Sequence, residues 1–339
     1  MRTRSGVLRG VVLLAVLLVS ILVAAAVGSV AISPVNVGRM LLSRILGFDS
    51  IERTWTAAEE LIVMQVRLPR VLLAAVIGGG LSAAGVLFQG ILRNPLADPY
   101  IIGVSSGASL GAAAALLFFI PAGLGWYGTL PLYAFAGAVG ATFIVYRVGL
   151  MHGRLHPTNL ILAGVAVGAL FTAMVSFMMV FKIQNLQDVY MWLMGSLSGR
   201  GWRQLGAAAP YVLAGSAVAV LFAPKLDVYL LGEETAHSLG IDVQRLQKQV
   251  LAIGALIAAA CVAVSGVIGF VGLMVPHAVR IWIGPKHTRL TVYAFLAGAI
   301  FLVVADTLAR TVFSPIELPV GIVTAMTGGP FFIYLMRRS

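Results

Sequence analysis

Cysteine is nearly missing from this sequence, charge is scarce, and no nucleotide-hydrolysing motif occurs; each absence closes off a class of protein. The one cysteine, Cys261, lies inside an apolar run, so neither an intrachain disulfide nor a Cys-rich metal site is available. Only 10% of the residues are charged. A water-soluble domain carries about 25%, so the polar surface is too small to cover a globule in water. No GxxxxGK[ST] phosphate loop, no HExxH and no nucleophile elbow is found, which leaves the chain without a means of hydrolysing a nucleotide. The five histidines, His152, His156, His237, His277 and His287, are not spaced as a metal site, and no catalytic or metal-binding residue is expected.

Apolar sequence is what the chain has in quantity: 60% of its 339 residues are hydrophobic, with a mean hydropathy of +1.00. A spanning helix needs about 20 predominantly apolar residues. Ten runs are candidates, at 11–32, 71–91, 101–120, 131–151, 157–181, 206–223, 251–264, 267–283, 291–308 and 318–336, the seventh and eighth being short and interrupted by glycine. The expected architecture is therefore an all-α, polytopic membrane protein whose single transmembrane domain covers 1–339. The first run exceeds the apolar core of a signal peptide and shows no clear cleavage site, so it reads as a true span. A net charge of +11 by itself suggests nucleic acid, but the Lys and Arg are scattered through short loops, which is a membrane-topology pattern. No nucleic-acid partner is expected. The larger share of these cations falls on one side when the N-terminus is placed in the cytoplasm, which puts both termini there. Glycines recur where helices must pack, with Gly103, Gly107 and Gly111 on one face of the third run and Gly266, Gly269 and Gly272 marking the turn between the seventh and eighth.

Three segments carry further information. Charge inside a span is costly, and Asp306 falls well within a run; Arg310 follows one helical turn later, where an i,i+4 ion pair neutralises both. The run Arg67-Leu68-Pro69-Arg70 opens the second span, which puts Arg70 at the positive end of the helix dipole at a cost of about 0.3–1 kcal/mol unless an anion lies nearby. Neither arginine has an obvious internal partner. Arginine suits bidentate pairing with carboxylates, so both are candidates for docking an external protein, with lipid headgroup anchoring as the ordinary alternative. The third segment, residues 230–242, reads as a compact helical knob: Gly232 precedes it, Glu233 and Glu234 favour a helix N-terminus, Ala236, Ser238 and Leu239 continue it, Gly240 is a C-cap, and Asp242 caps the next helix. A knob of this kind fits a groove on a cytosolic motor; an amphipathic loop lying on the membrane is the plainer alternative.

RLPR at 67–70, QGILRNPLADP at 89–99, GVSSGA at 103–108, LGE at 231–233, LG at 239–240, GFVGLMVPH at 269–277, ADTLAR at 305–310 and ELPVG at 317–321 together resemble the FecCD family of ABC importer permeases. The blocks stand in family order over about four-fifths of the chain. The resemblance implies the ten-helix type II ABC importer permease fold in the cytoplasmic (inner) membrane, working as a homodimer or paired homologues. Its expected partners are a second permease subunit, two ABC ATPase subunits that carry ATP and Mg, an extracytoplasmic substrate-binding protein and the lipid bilayer; this chain itself holds no cofactor. It also implies that Arg67, Arg70 and Arg310 engage acidic residues of the binding protein. Gly232, Glu233, Glu234, Ala236, Ser238, Leu239 and Gly240 then belong to coupling helices, about 231–248, that sit on the ATPase. Asn94, Leu96 and Thr158 narrow the cytoplasmic end of the path.

The family's substrates are cobalamin, iron–siderophore complexes and haem. The segments 98–103 and 190–196 resemble the cobalamin members, so cobalamin is the expected substrate. A secondary transporter or channel is the competing class, which the near absence of intramembrane carboxylates disfavours.

Overall fold

A computed structural model describes residues 2–28, 30–46, 53–119, 129–151, 154–181 and 186–337. The chain opens with α1 (Arg2–Ala26), a short amphipathic α2 (Pro34–Leu46), and α3 (Ala57–Leu61), which a π-helical turn at Ile62–Arg67 joins to α4 (Leu68–Ile91). A 3-10 turn at Pro99–Ile102 leads into α5 (Val104–Ala114), which ends in a second π-helical turn, Ala115–Phe119. Next come α6 (Leu130–Gly149), a two-residue hairpin of β1 (Leu150–Met151) and β2 (Arg154–Leu155), α7 (Pro157–Phe181) and α8 (Leu186–Leu193). The rest is α9 (Trp202–Tyr229), α10 (Glu233–Ser238), α11 (Val243–Ser265), α12 (Val271–Ile283), α13 (His287–Thr311) and α14 (Val320–Met336).

Among the described residues, 7 helices are long and apolar enough to cross a membrane, and the shorter apolar helices Val104–Phe119, Val271–Ile283 and Val320–Leu335 account for the other runs read from the sequence. Several boundaries differ, α9 and α11 among them, which run from Trp202 to Tyr229 and from Val243 to Ser265 instead of 206–223 and 251–264; two others bear on the site. The first run, expected to reach residue 32, stops at Ala26, and the chain turns back through α2. The second helix starts at Ala57 instead of 71, because Thr56 and Glu59 form a capping box there. Pro69 therefore lies inside a 35-residue helix, Ala57–Ile91. It is accommodated beside the π-helical turn, where the widened backbone tolerates a residue without an N–H.

α4 is the axis of the bundle. Every residue in it except Leu72 and Val76 is buried, against α9, α11, α12 and α13. In lipid, apolar side chains gain little by leaving their surroundings, so helix association depends on close packing. A Cβ on Gly85 would collide with the Gly272 carbonyl of α12, and one on Gly107 with the Gly137 carbonyl of α6. Large apolar side chains such as Leu18, Phe143, Leu162 and Leu221 are exposed along α1, α6, α7 and α9, where lipid covers them.

α13 runs antiparallel to α4: Arg70 meets Asp306 at one end and Gly90 meets His287 at the other. These two ends are where the charged side chains of α4 and α13 find their partners.

Candidate functional site

At the first end, Arg67 of the long helix and Arg310 of α13 reach the C-terminus of α1, and Arg70 pairs with the carboxylates of Asp306 and Glu317. Arg67 is buried and donates to the carbonyls of Ala25 (3.2 Å), Ala26 (2.7 Å) and Val30 (2.5 Å). Its guanidinium thus caps the last turn of α1, where the helix dipole favours a cation. Arg70 reaches Asp306 in α13 with two parallel bonds, Nε to Oδ2 and Nη2 to Oδ1, both 3.0 Å. Its Nη1 donates to Glu317 at 2.8 Å. Arg310 is also buried, and its Nη2 donates to the Ala24 carbonyl of α1.

Two expectations are corrected here. Asp306 pairs with Arg70 and not with Arg310, because Arg310 turns toward the end of α1 while the Arg70 fork reaches both carboxylate oxygens. Arg67 and Arg70 do have internal partners, and neither lies in a first helical turn, since the helix began ten or more residues earlier. The cluster still carries three guanidinium groups against the carboxylates of Asp306 and Glu317, a surplus of positive charge at this end. Asp306 is 1% exposed, whereas the Glu317 side chain is 39% exposed. Burial works against ionisation of Glu317, but the adjacent Arg70 guanidinium outweighs it and holds the carboxyl below its ordinary value.

At the opposite end, α10 forms the knob read from the sequence. Gly232 at φ 126° precedes Glu233 and Glu234 in its first turn, and Ala236 is buried against the bundle while Leu239 projects outward. Gly240, at φ 78°, closes a Schellman motif in which Gly240 N donates to His237 O and Ile241 N to Ala236 O. The Ser238 hydroxyl donates to Thr235 O, and Asp242 caps α11 by accepting from Arg245 N. A cleft of about 1000 Å³ beside α10 is lined by His156, Glu233, His237, Asp242 and Gln247 among others.

Asn94 and Leu96 share the loop after α4, where the Asn94 side chain accepts from Leu96 N at 2.9 Å and so holds the turn. Leu96 lies against α12 and α14, beside Met274 and Phe331. Thr158 is exposed on the first turn of α7, whose neighbours Leu155 and Leu160 face Ile91 and Leu92. The loop of Asn94 and Leu96 and the start of α7 thus both lie near the end of α4.

Sequence reasoning missed the residues that bind this end together. Arg93, at φ 49°, is one of two non-glycine residues with positive φ, a conformation that costs a side-chain-bearing residue roughly 1–2 kcal/mol. Its guanidinium lies 4.1 Å from the Tyr229 ring centroid, donates to Tyr229 O at 3.0 Å, and sits 3.7 Å from Glu233 Oε1. Asp227 of α9 accepts from His287 N and Thr288 Oγ1, capping α13 from a neighbouring helix. Gln89 bridges α4 to α12 through Leu273 O and Arg280. These contacts span long separations, and no local spacing announces them. The segment 103–107 has the letters GxSxG, but it follows a 3-10 turn and opens a helix, so it is no nucleophile elbow.

A groove of roughly 450 Å³ on the outer side of α5, α7 and α8 is lined with hydroxyls, including Ser105, Ser109, Thr172, Ser176 and Tyr190. Among the described residues, no group of three or more His, Cys, Asp or Glu side chains gathers as a metal site would require.

Comparison with known proteins follows the same lines. The profile of the FecCD transport family matches residues 16–338. The cobalamin import system permease protein BtuC of Halobacterium salinarum is 46% identical over 278 residues, 82% of this chain and 74% of that one. The hemin transport system permease protein HmuU of Yersinia pestis is 42% identical over 282 residues, covering 82% and 84%. A solved structure described as an inward-facing metal-chelate type ABC transporter superposes with a TM-score of 0.84 at 30% identity, covering 97% of this chain and 99% of that one.

Proposed function

The chain belongs to the FecCD transport family, and from that premise we propose that it carries cobalamin into the cytoplasm. At the coarser level it is a multi-pass permease of a metal-chelate type ABC importer, and the ATP that drives it is hydrolysed on separate subunits. The cobalamin reading is supported by the 46% identity to a cobalamin permease.

The observation that carries the working scheme is the separation of two unlike ends along α4 and α13. The end with a surplus of arginine receives an acidic binding protein on the extracytoplasmic side, through Arg67, Arg70 and Arg310. Since Arg70 is already occupied, an incoming carboxylate reaches it by displacing Glu317, the half-exposed member of the cluster. The opposite end, with α10 as its knob, meets the ATPase through Gly232, Glu233, Glu234, Ala236, Ser238, Leu239 and Gly240. Asn94, Leu96 and Thr158 close the path above it. Both termini are then cytoplasmic, in the inner membrane.

We propose further that two copies of the chain pair so that the hydroxyl-lined groove on α5 and α7 faces its counterpart. An uncharged polar wall suits a bulky polar chelate that must pass without being held. In this scheme the chain binds no cofactor of its own.

Proteoliposomes containing this chain, its ATPase and its binding protein test the reading directly. Accumulation of labelled cobalamin with ATP inside, and none with a non-hydrolysable analogue, is the expected result. ATPase activity stimulated by the binding protein without cobalamin uptake would refute cobalamin and direct the search to ferric chelates and haem.

A further inference from the structure

Arg93 occupies a position that the backbone reserves for glycine. Asn94 N donates to Gln89 O and Arg93 N to Gly90 O, so the end of α4 is a Schellman motif with Arg93 at its left-handed residue. Glycine would relieve the strain there; arginine is kept for what its side chain reaches. The guanidinium stacks over the Tyr229 ring at 4.1 Å, bonds the carbonyl of that last residue of α9 at 3.0 Å, and faces Glu233, the first residue of α10, at 3.7 Å. A cation between the C-terminus of one helix and the N-terminal carboxylate of the next is favoured by both. Tyr229 itself is buried, and its hydroxyl donates to Ile91 O while accepting from Gln247 in the second turn of α11. One side chain therefore ties the end of α4 to the hinge between α9 and α10, and the residue after it is Asn94.

We propose that Arg93 is the positioning residue through which displacement of α10 reaches the 94–98 loop. This rests on the reading of α10 as the ATPase contact. Movement of the knob carries Glu233 and the end of α9 with it; the stacked and bonded guanidinium then pulls the loop that holds Asn94 and Leu96. The ring face and the carbonyl do most of this, because the Arg93–Glu233 pair is half exposed and 3.7 Å long.

The test needs no knowledge of the substrate. Cys261 is buried, so a single cysteine placed at Leu96 or at Ser238, both exposed, dominates maleimide labelling of this chain, read on its own band from the complex assembled with its ATPase. With Arg93 present, trapping the ATPase with ATP and vanadate is expected to change the Leu96→Cys rate by about tenfold, and the ATPase is expected to protect Ser238→Cys. In Arg93→Gly the Leu96→Cys response is expected to vanish, with Ser238→Cys still protected and thermal stability unchanged or higher. Arg93→Lys keeps the charge without the planar stack and is expected to restore part of the response. An unchanged Leu96→Cys response in Arg93→Gly, or none with Arg93 present, overturns the role of Arg93 alone. Absence of protection at Ser238→Cys overturns the reading of α10, and the proposal with it.

Discussion

At one end of α4, Arg70 is gripped by a buried carboxylate through two bonds of 3.0 Å and by a second carboxylate at 2.8 Å. At the other end, Arg93 rests on an aromatic face and a helix-terminal carbonyl, with its nearest carboxylate 3.7 Å away. The first arrangement is expensive to open, because each buried charge depends on the others. The second can slide, since stacking and a single carbonyl bond tolerate small rotations. The proposed scheme uses both: a fixed end on which a binding protein docks in one register, and a compliant end that follows a motor.

The largest effect should come from breaking the fixed end. Asp306→Asn leaves Arg70 buried with half of its neutralisation gone, and a loss of about 3–5 kcal/mol is expected, read as a fall in the detergent-solubilised unfolding midpoint. A midpoint within error of the original would show that the cluster is not held as described. Tyr229→Phe removes one hydroxyl that serves Ile91 O and Gln247, and should cost about 1 kcal/mol in the same assay. Arg93→Gly, by contrast, should leave the midpoint unchanged or raise it, because relief of the positive φ offsets the lost contacts; a drop of several kcal/mol would make the compliant end as rigid as the other.

Glu317→Gln should also change stability little, within about 1 kcal/mol, because the carboxylate is half exposed. Docking should respond more than stability does, with several-fold tighter capture of the binding protein in a low-salt pull-down. The pair also fixes a pH dependence. Its folded value is depressed, so its contribution is present above the unfolded carboxylate value of roughly 4.3 and is lost as pH falls through the lower folded value. Weaker capture by Glu317→Gln would mean that this carboxylate assists docking instead of blocking it.

Much of this was legible in the sequence, for local reasons. The apolar runs are set by bilayer thickness, and the knob by its caps: Glu233 and Glu234 at the start, Gly240 at the end, Asp242 beyond. The partner of Asp306 was not, since the i,i+4 spacing points to Arg310 while the true partner stands 236 residues away. Arg67 misled for another reason: what satisfies it is backbone carbonyl at the end of α1, and carbonyls leave no mark in a sequence. Arg93 was read only as part of a motif block, because its meaning lies in a backbone angle and in a ring brought to it by folding.

The division of labour between the two ends can be read most directly by protection in the assembled complex. Single cysteines at Ile316, exposed beside Glu317, and at Ser238, exposed on α10, are labelled with maleimide in the presence of the binding protein or the ATPase alone. The binding protein is expected to slow labelling of Ile316→Cys without affecting Ser238→Cys, and the ATPase to do the reverse. Protection of both cysteines by one partner, or of each by the opposite partner, would contradict this division of labour.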